Sequence, residues 1–142
     1  MKLNKQTDYA LRILIYSALE PGERLLSIQE VTDVYDFSRN HVMKIVQKLG
    51  QLGYLKTVRG KGGGFHIGRE AIHINLGQLV RDMENSLALV DCAQPACQLS
   101  PGCQLKHVLA EAMEAFMGVL DKYTLDDMIH NRKELVQLLA IA

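Results

Sequence analysis

The chain has 142 residues, 48% of them hydrophobic and 23% charged, with 16 Lys/Arg balanced by 16 Asp/Glu. That length suits one domain with its own core, and the composition is that of an ordinary soluble globule. No stretch approaches the roughly 20 apolar residues that span a bilayer, because Arg12, Glu20 and Glu23 interrupt the most apolar N-terminal segment. Asp8 and Arg12 also break the place where the apolar core of a secretory signal would lie, so a cytoplasmic location is expected.

The zero net charge hides a polarity. Residues 1–70 carry 11 Lys/Arg against 7 Asp/Glu, and residues 71–142 carry 5 against 9. From Phe37 to Arg69 there are seven basic residues (Arg39, Lys44, Lys48, Lys56, Arg59, Lys61, Arg69) and no acidic one. Most basic clusters are merely solvated faces, but 33 residues without an acid make a good footprint for a polyanion.

Ala10, Ile13, Leu14, Ser17 and Ala18 line one face of a first helix that ends near Glu20-Pro21-Gly22. Ser27-Ile28-Gln29-Glu30 has the form of a capping box and starts a short second helix reaching about Tyr35. Ser38 caps a third, with Val42, Ile45, Val46 and Leu49 as its buried stripe and Gly53 as its terminator. The second and third helices, joined across Asp36 and Phe37, form a helix-turn-helix. Tyr54–Val58 and Phe65-His66-Ile67 then read as two strands of a hairpin with a basic, glycine-rich tip at 59–64.

Asn75 caps a further helix carrying Leu76, Leu79, Val80 and Met83, and residues 85–102 show no clear period. From Cys103 to Tyr123 a wide apolar stripe runs through Leu105, Val108, Leu109, Ala112, Met113, Phe116, Val119 and Leu120. It exceeds what the small N-terminal globule needs and predicts a partner helix, against packing within the chain alone. Thr124-Leu125-Asp126-Asp127 caps a last helix to about Leu139. The fold class is thus mainly α, a winged helix-turn-helix with a two-stranded wing and a long C-terminal dimerisation helix. The expected division is a DNA-binding region over 1–74, then a loop (85–103) with dimerisation helices over 75–142, all in one compact unit.

In a winged helix the third helix enters the major groove, N-terminus first, while the wing touches adjacent backbone or minor groove. The buried stripe leaves Arg39, Asn40, Lys44, Gln47, Lys48 and Gln51 largely on other faces. The expected DNA contacts are Ser38, Arg39, Asn40, His41, Lys44 and Lys48, with Arg59, Lys61, Gly62 and Gly63 at the wing tip. Arginine pairs bidentately with guanine and asparagine with adenine, so Arg39 and Asn40 are the expected base readers and the lysines the phosphate contacts. The wing glycines are not a nucleotide loop. A P-loop would need glycine where Leu55 stands and Ser or Thr where Gly62 stands, and a dinucleotide fingerprint would need glycine in place of Phe65.

The three cysteines fall within twelve residues, Cys92-x4-Cys97-x5-Cys103, among Pro95, Pro101 and Gly102. An odd number cannot be closed into intramolecular disulfides, and in a reducing compartment such clusters bind metal or do redox chemistry. A zinc site of Cys92, Cys97, Cys103 and His107 would satisfy a Cys3His set, although the gaps are unlike those of zinc fingers. A cysteine enzyme activated by His107 lacks an oxyanion site and a Cys-x-x-Cys motif, so no enzymatic activity is expected.

The run Ser38-Arg39-Asn40-His41-Val42-Met43-Lys44-Ile45, then Gly53-Tyr54-Leu55, then Arg59-Gly60-Lys61-Gly62-Gly63-Gly64 and the cysteine triplet, resembles the bacterial iron–sulfur winged-helix repressors. Thr7-Asp8-Tyr9-Ala10-Leu11 and Tyr123-Thr124-Leu125 extend the resemblance nearly end to end. The four-residue gap between Cys92 and Cys97 is similar to that of the nitric-oxide-sensing members, whereas the regulators of cluster assembly have five. The resemblance implies a homodimer on a palindromic double-stranded operator, with one iron–sulfur cluster per subunit, [2Fe-2S] or [4Fe-4S], held by Cys92, Cys97 and Cys103. It implies a fourth ligand in Asp8 of the other protomer or, as second choice, His107. Nitrosylation of the cluster by nitric oxide would release the operator; a sensor of cluster status is the alternative.

Overall fold

The computed structural model describes residues 1–20, 22 and 24–141. Six helices and one hairpin follow in the order α1 (Lys5–Leu19), α2 (Ile28–Tyr35), α3 (Arg39–Gln51), β1 (Leu55–Val58), β2 (Gly64–Ile67), α4 (Leu76–Met83), α5 (Gln104–Leu120) and α6 (Arg132–Leu138). None is long and apolar enough to cross a membrane.

The expected helix starts are largely observed, with two differences in how they are held. Asn4 caps α1 by accepting from the Thr7 amide at 2.8 Å, and Asn75 caps α4 through the Gln78 amide at 2.9 Å. Ser27 accepts from the Glu30 amide at 3.0 Å, but the Glu30 carboxylate does not return to close the box. It turns instead to Arg24 at 2.7 Å and to the Tyr16 hydroxyl at 2.6 Å. Ser38 occupies the cap position of α3, yet its hydroxyl makes no capping bond. α3 closes at Leu52, and Gly53 follows with φ 85°, the left-handed geometry that ends helices. α1 stops at Leu19; Pro21 of the expected stop signal lies outside the described residues.

β1 and β2 pair antiparallel, Leu55 with Ile67 through Val58 with Gly64. The hairpin has a third participant that periodicity does not reveal: Leu26 exchanges both backbone hydrogen bonds with Phe65, at 2.8 and 2.9 Å, so the segment before α2 is stitched to the wing. Gly64 permits this approach, since a Cβ there would collide with the Leu26 carbonyl oxygen.

One core runs through the molecule. Ile13 and Leu14 of α1, Val31 of α2, Val42 and Leu49 of α3, Tyr54, Phe65, Leu79 and Met83 of α4, and Leu125 and Ile129 are all buried within it. The segment after Thr124 differs from the single helix expected. Thr124 and Asp127 form a true capping box, but it opens a 3-10 turn over Leu125–Ile129, and α6 begins only at Arg132. The cause is local: the Leu125 amide donates to Ile74 at 2.8 Å, and both Leu125 and Ile129 point into the core. α5 is poorly enclosed for its length, with only Met117 buried.

Candidate nucleic-acid interface and cysteine loop

α3 and the wing face each other across a cleft of about 800 Å³. Arg39, Asn40 and Lys44 line it from α3, and Arg59 and Gly63 from the wing. Ser38, His41, Lys48, Lys61 and Gly62 stand outside its lining, although all of these except the half-buried Lys48 are exposed. Gly60 and Gly62 adopt φ 93° and 79°, the left-handed backbone that lets so tight a tip form. The buried stripe of Val42, Ile45, Val46 and Leu49 fixes the rotation of α3, so its polar residues are turned outward.

The cleft also contains residues that the sequence reading passes over. Ser27 and Gln29, from the start of α2, and Met43 and Thr57 share its wall. The Arg39 guanidinium donates to the Gln29 amide oxygen at 2.8 Å, which holds it against the cleft mouth. Alternation and capping signals assign Ser27 and Gln29 only to a helix start, and nothing local marks them as groove-facing.

Arg69 departs from the electrostatic reading. It donates to the Leu52 and Gly53 carbonyls at 2.8 and 3.3 Å and stacks over the Tyr54 ring at 4.1 Å, closing the end of α3. Six of the seven basic residues in the acid-free block therefore remain for a polyanion. At the other end of α3, Tyr9 stacks on Phe37 with ring centroids 3.7 Å apart and meets His41 edge-on at 6.1 Å. α1 is thereby in contact with the first turn of α3.

Cys92, Cys97 and Cys103 are all free thiols in one irregular loop, Cys97 exposed and the others half-buried. The Cys97 amide donates to the Cys92 carbonyl at 3.0 Å, and a bridge between Ala93 and Ala96 folds the chain between them. Cys103 sits at the cap position of α5, where free amides favour negative charge. Lys106 reaches back to the Ser100 carbonyl at 2.5 Å and ties the loop's end to α5. Cys92 and His107 share a hollow of about 460 Å³ with Leu87–Val90 and Met113, whose lining does not include Cys97, Cys103 or Asp8. No three His, Cys, Asp or Glu side chains converge among the described residues. Three unpaired thiols on one loop nevertheless fit an iron–sulfur or other soft-metal centre in donor chemistry. Asp8 is paired with Arg12 at 2.9 and 3.2 Å, the plain ion pair that its i, i+4 spacing allows.

Residues 3–131 match the Rrf2 model, described as an iron-dependent transcriptional regulator. The chain belongs to the Rrf2 family. Among curated relatives, the HTH-type transcriptional regulator NsrR of Bacillus subtilis is 47% identical over 98% of this chain and 97% of its own length. The NsrR of Bacillus licheniformis is 43% identical over 99% and 100%. Solved Rrf2-like structures share the fold: CymR, the global cysteine regulator of B. subtilis, has a TM-score of 0.68 at 25% identity, covering 90% of this chain and 95% of that one. IscR of T. potens has a TM-score of 0.74 at 24% identity, covering 95% and 90%. The winged helix-turn-helix, read from helix period and hairpin chemistry, is the Rrf2 architecture.

Proposed function

We propose that this chain is a DNA-binding transcriptional repressor that acts as a homodimer on a palindromic operator and releases it in response to nitric oxide. The reading rests chiefly on one arrangement: Arg39, Asn40 and Lys44 of α3 and Arg59 and Gly63 of the wing share a cleft, while a three-cysteine loop follows α4 in the chain. The full-length similarity to regulators named NsrR supports the choice of effector.

Arg39 and Asn40 read base edges from the N-terminus of α3, while Ser38, His41, Lys44, Lys48 and the wing residues Arg59, Lys61, Gly62 and Gly63 hold the backbone. Cys92, Cys97 and Cys103 hold one iron–sulfur cluster per subunit, with Asp8 of the partner subunit or His107 of the same chain in the fourth position. Bound there, the cluster supplies iron with one ligand that nitric oxide can displace. For Asp8 to serve, it must leave Arg12, whereas His107 already stands beside Cys92. The exposed apolar face of α5, with Leu105, Val108, Phe116 and Val119 turned outward, packs against its twin in the dimer. The protein has no catalytic role and works in the cytoplasm.

Anaerobic purification with absorption spectroscopy, followed by operator gel shifts before and after nitric oxide, tests the reading. A brown protein that loses operator affinity as its absorption bleaches is expected. Colourless protein carrying stoichiometric zinc, or bleaching without any change in affinity, would overturn it. Asp8→Ala and His107→Ala, compared by absorption, decide the fourth ligand.

A further inference from the structure

α4 separates the DNA-contacting elements from the cysteine loop, and its buried face of Leu76, Leu79, Val80 and Met83 packs into the core. Its other face carries three polar links within four residues. Arg81 forms a bidentate pair with Asp121 beyond the end of α5, at 2.7 and 2.8 Å. Glu84, the last residue before the loop, accepts from both the backbone and side-chain nitrogens of Asn4 at 2.8 Å. Asp82 accepts from the Tyr54 hydroxyl at 2.5 Å and is steadied by Gln78 at 2.9 Å.

The Tyr54–Asp82 bond has a singular place. Among the described residues it is the one hydrogen bond, backbone or side chain, that crosses between residues 39–69 and residues 71–141. The two parts also contribute side chains to one apolar core, Val42, Leu49 and Phe65 from one and Leu79, Met83 and Leu125 from the other, and apolar packing is non-directional and tolerates sliding. Tyr54 is also the joint of the DNA-contacting part itself. Its amide donates to Leu49 at 2.9 Å in the last turn of α3, and its carbonyl accepts from Gly68 at 2.9 Å at the end of β2. Arg69 stacks on its ring while closing α3. Burial, with the Asp82 hydrogen bond second, pushes the phenol well above its ordinary pKa, so it remains a donor across the working range.

We infer that Tyr54 and Asp82 are positioning residues: their hydrogen bond transmits the state of the cysteine loop, through the C-terminal turn of α4, to the orientation of α3 and the wing. The inference rests on the proposed cluster-controlled repressor. A directional bond to a carboxylate holds one geometry, and a shift of about 1 Å in α4 must either drag Tyr54 or break it.

The test compares operator dissociation constants of cluster-loaded and cluster-free protein in the wild type, Tyr54→Phe and Asp82→Asn. Circular dichroism and cluster absorption are recorded for each. Tyr54→Phe keeps the ring and its stack on Arg69 and removes only the hydroxyl. With absorption unchanged, the loaded-to-free affinity ratio should fall by about fivefold or more, a normal size for one coupling term. Asp82→Asn keeps a weaker acceptor and should fall between, which decides the matter if Tyr54→Phe fails to fold. Hydrogen exchange over 49–58 should respond to cluster loading in the wild type and cease to respond in the variants. Wild-type ratios in both variants would overturn the inference alone. A wild-type ratio of one would overturn the proposed function, and the joint with it.

Discussion

Arg39 shows how a side chain can be assigned by position yet held by something the sequence hides. Its place in the first turn of α3 was legible, because the buried stripe leaves it on another face; its tether to Gln29 was not, because that contact spans ten residues and two helices. Arg39→Ala is expected to weaken operator binding by about 1–3 kcal/mol and to relax specificity at one base pair, measured by competition against single-base operator variants. Lys61→Ala should weaken all sequences alike and reduce the slope of affinity against salt by about 1. Arg69 is the counterexample: composition counted its charge, but only the fold shows that it is spent on the Leu52 and Gly53 carbonyls. Glu30 carries a pH prediction. The Arg24 hydrogen bonds, ahead of the Tyr16 one, hold its carboxyl below the ordinary value of 4.5. A lowered folded pKa gives stability that is complete above the unfolded value and is lost as pH falls through the folded one. Thermal melts should therefore show Glu30→Gln less stable than wild type at pH 7, with the gap closing as pH falls below the ordinary value of 4.5 and through the lowered folded one.

At the scale of elements, helices with strong stripes are readable, since period is a local property. α1, α3 and α4 fall where their stripes put them, although the Ser38 hydroxyl expected to cap α3 makes no capping bond. The C-terminal break into a 3-10 turn and α6 was not readable, because it comes from a tertiary bond between Leu125 and Ile74. The wing gives another case. Its two strands were clear, but the stitch from Leu26 to Phe65 joins residues 39 positions apart and follows no pattern. Gly64→Ala should test that stitch, since the added Cβ collides with backbone rather than with a movable side chain. A loss of about 1–3 kcal/mol in denaturant unfolding is expected, with slower or weaker wing closure on DNA.

For the whole molecule, the wide stripe on α5 predicted a partner helix, and the fold leaves Leu105 62% and Val119 52% exposed after intrachain packing is complete. Burying such a face is the expected role of a second copy. Val119→Glu should shift the protein toward monomer in light scattering and abolish high-affinity operator binding, because the proposed palindromic operator needs two linked readers. The sequence offers the three cysteines as a donor set but not as a geometry: residue types and spacing are local, whereas convergence of Cys92, Cys97 and Cys103 depends on how the loop would close around the proposed cluster.

Both ends of α1 are secured from far along the chain. Glu84 clasps Asn4 at its start, and Arg132 donates to the Leu19 and Ala18 carbonyls at its finish, at 2.8 and 3.0 Å. The reader half is therefore not a detachable cassette. Grafting a foreign C-terminal half after residue 74 would strip both fastenings from the helix that supports α3, so a working chimaera must carry replacements for Glu84 and Arg132 as well as a matching core.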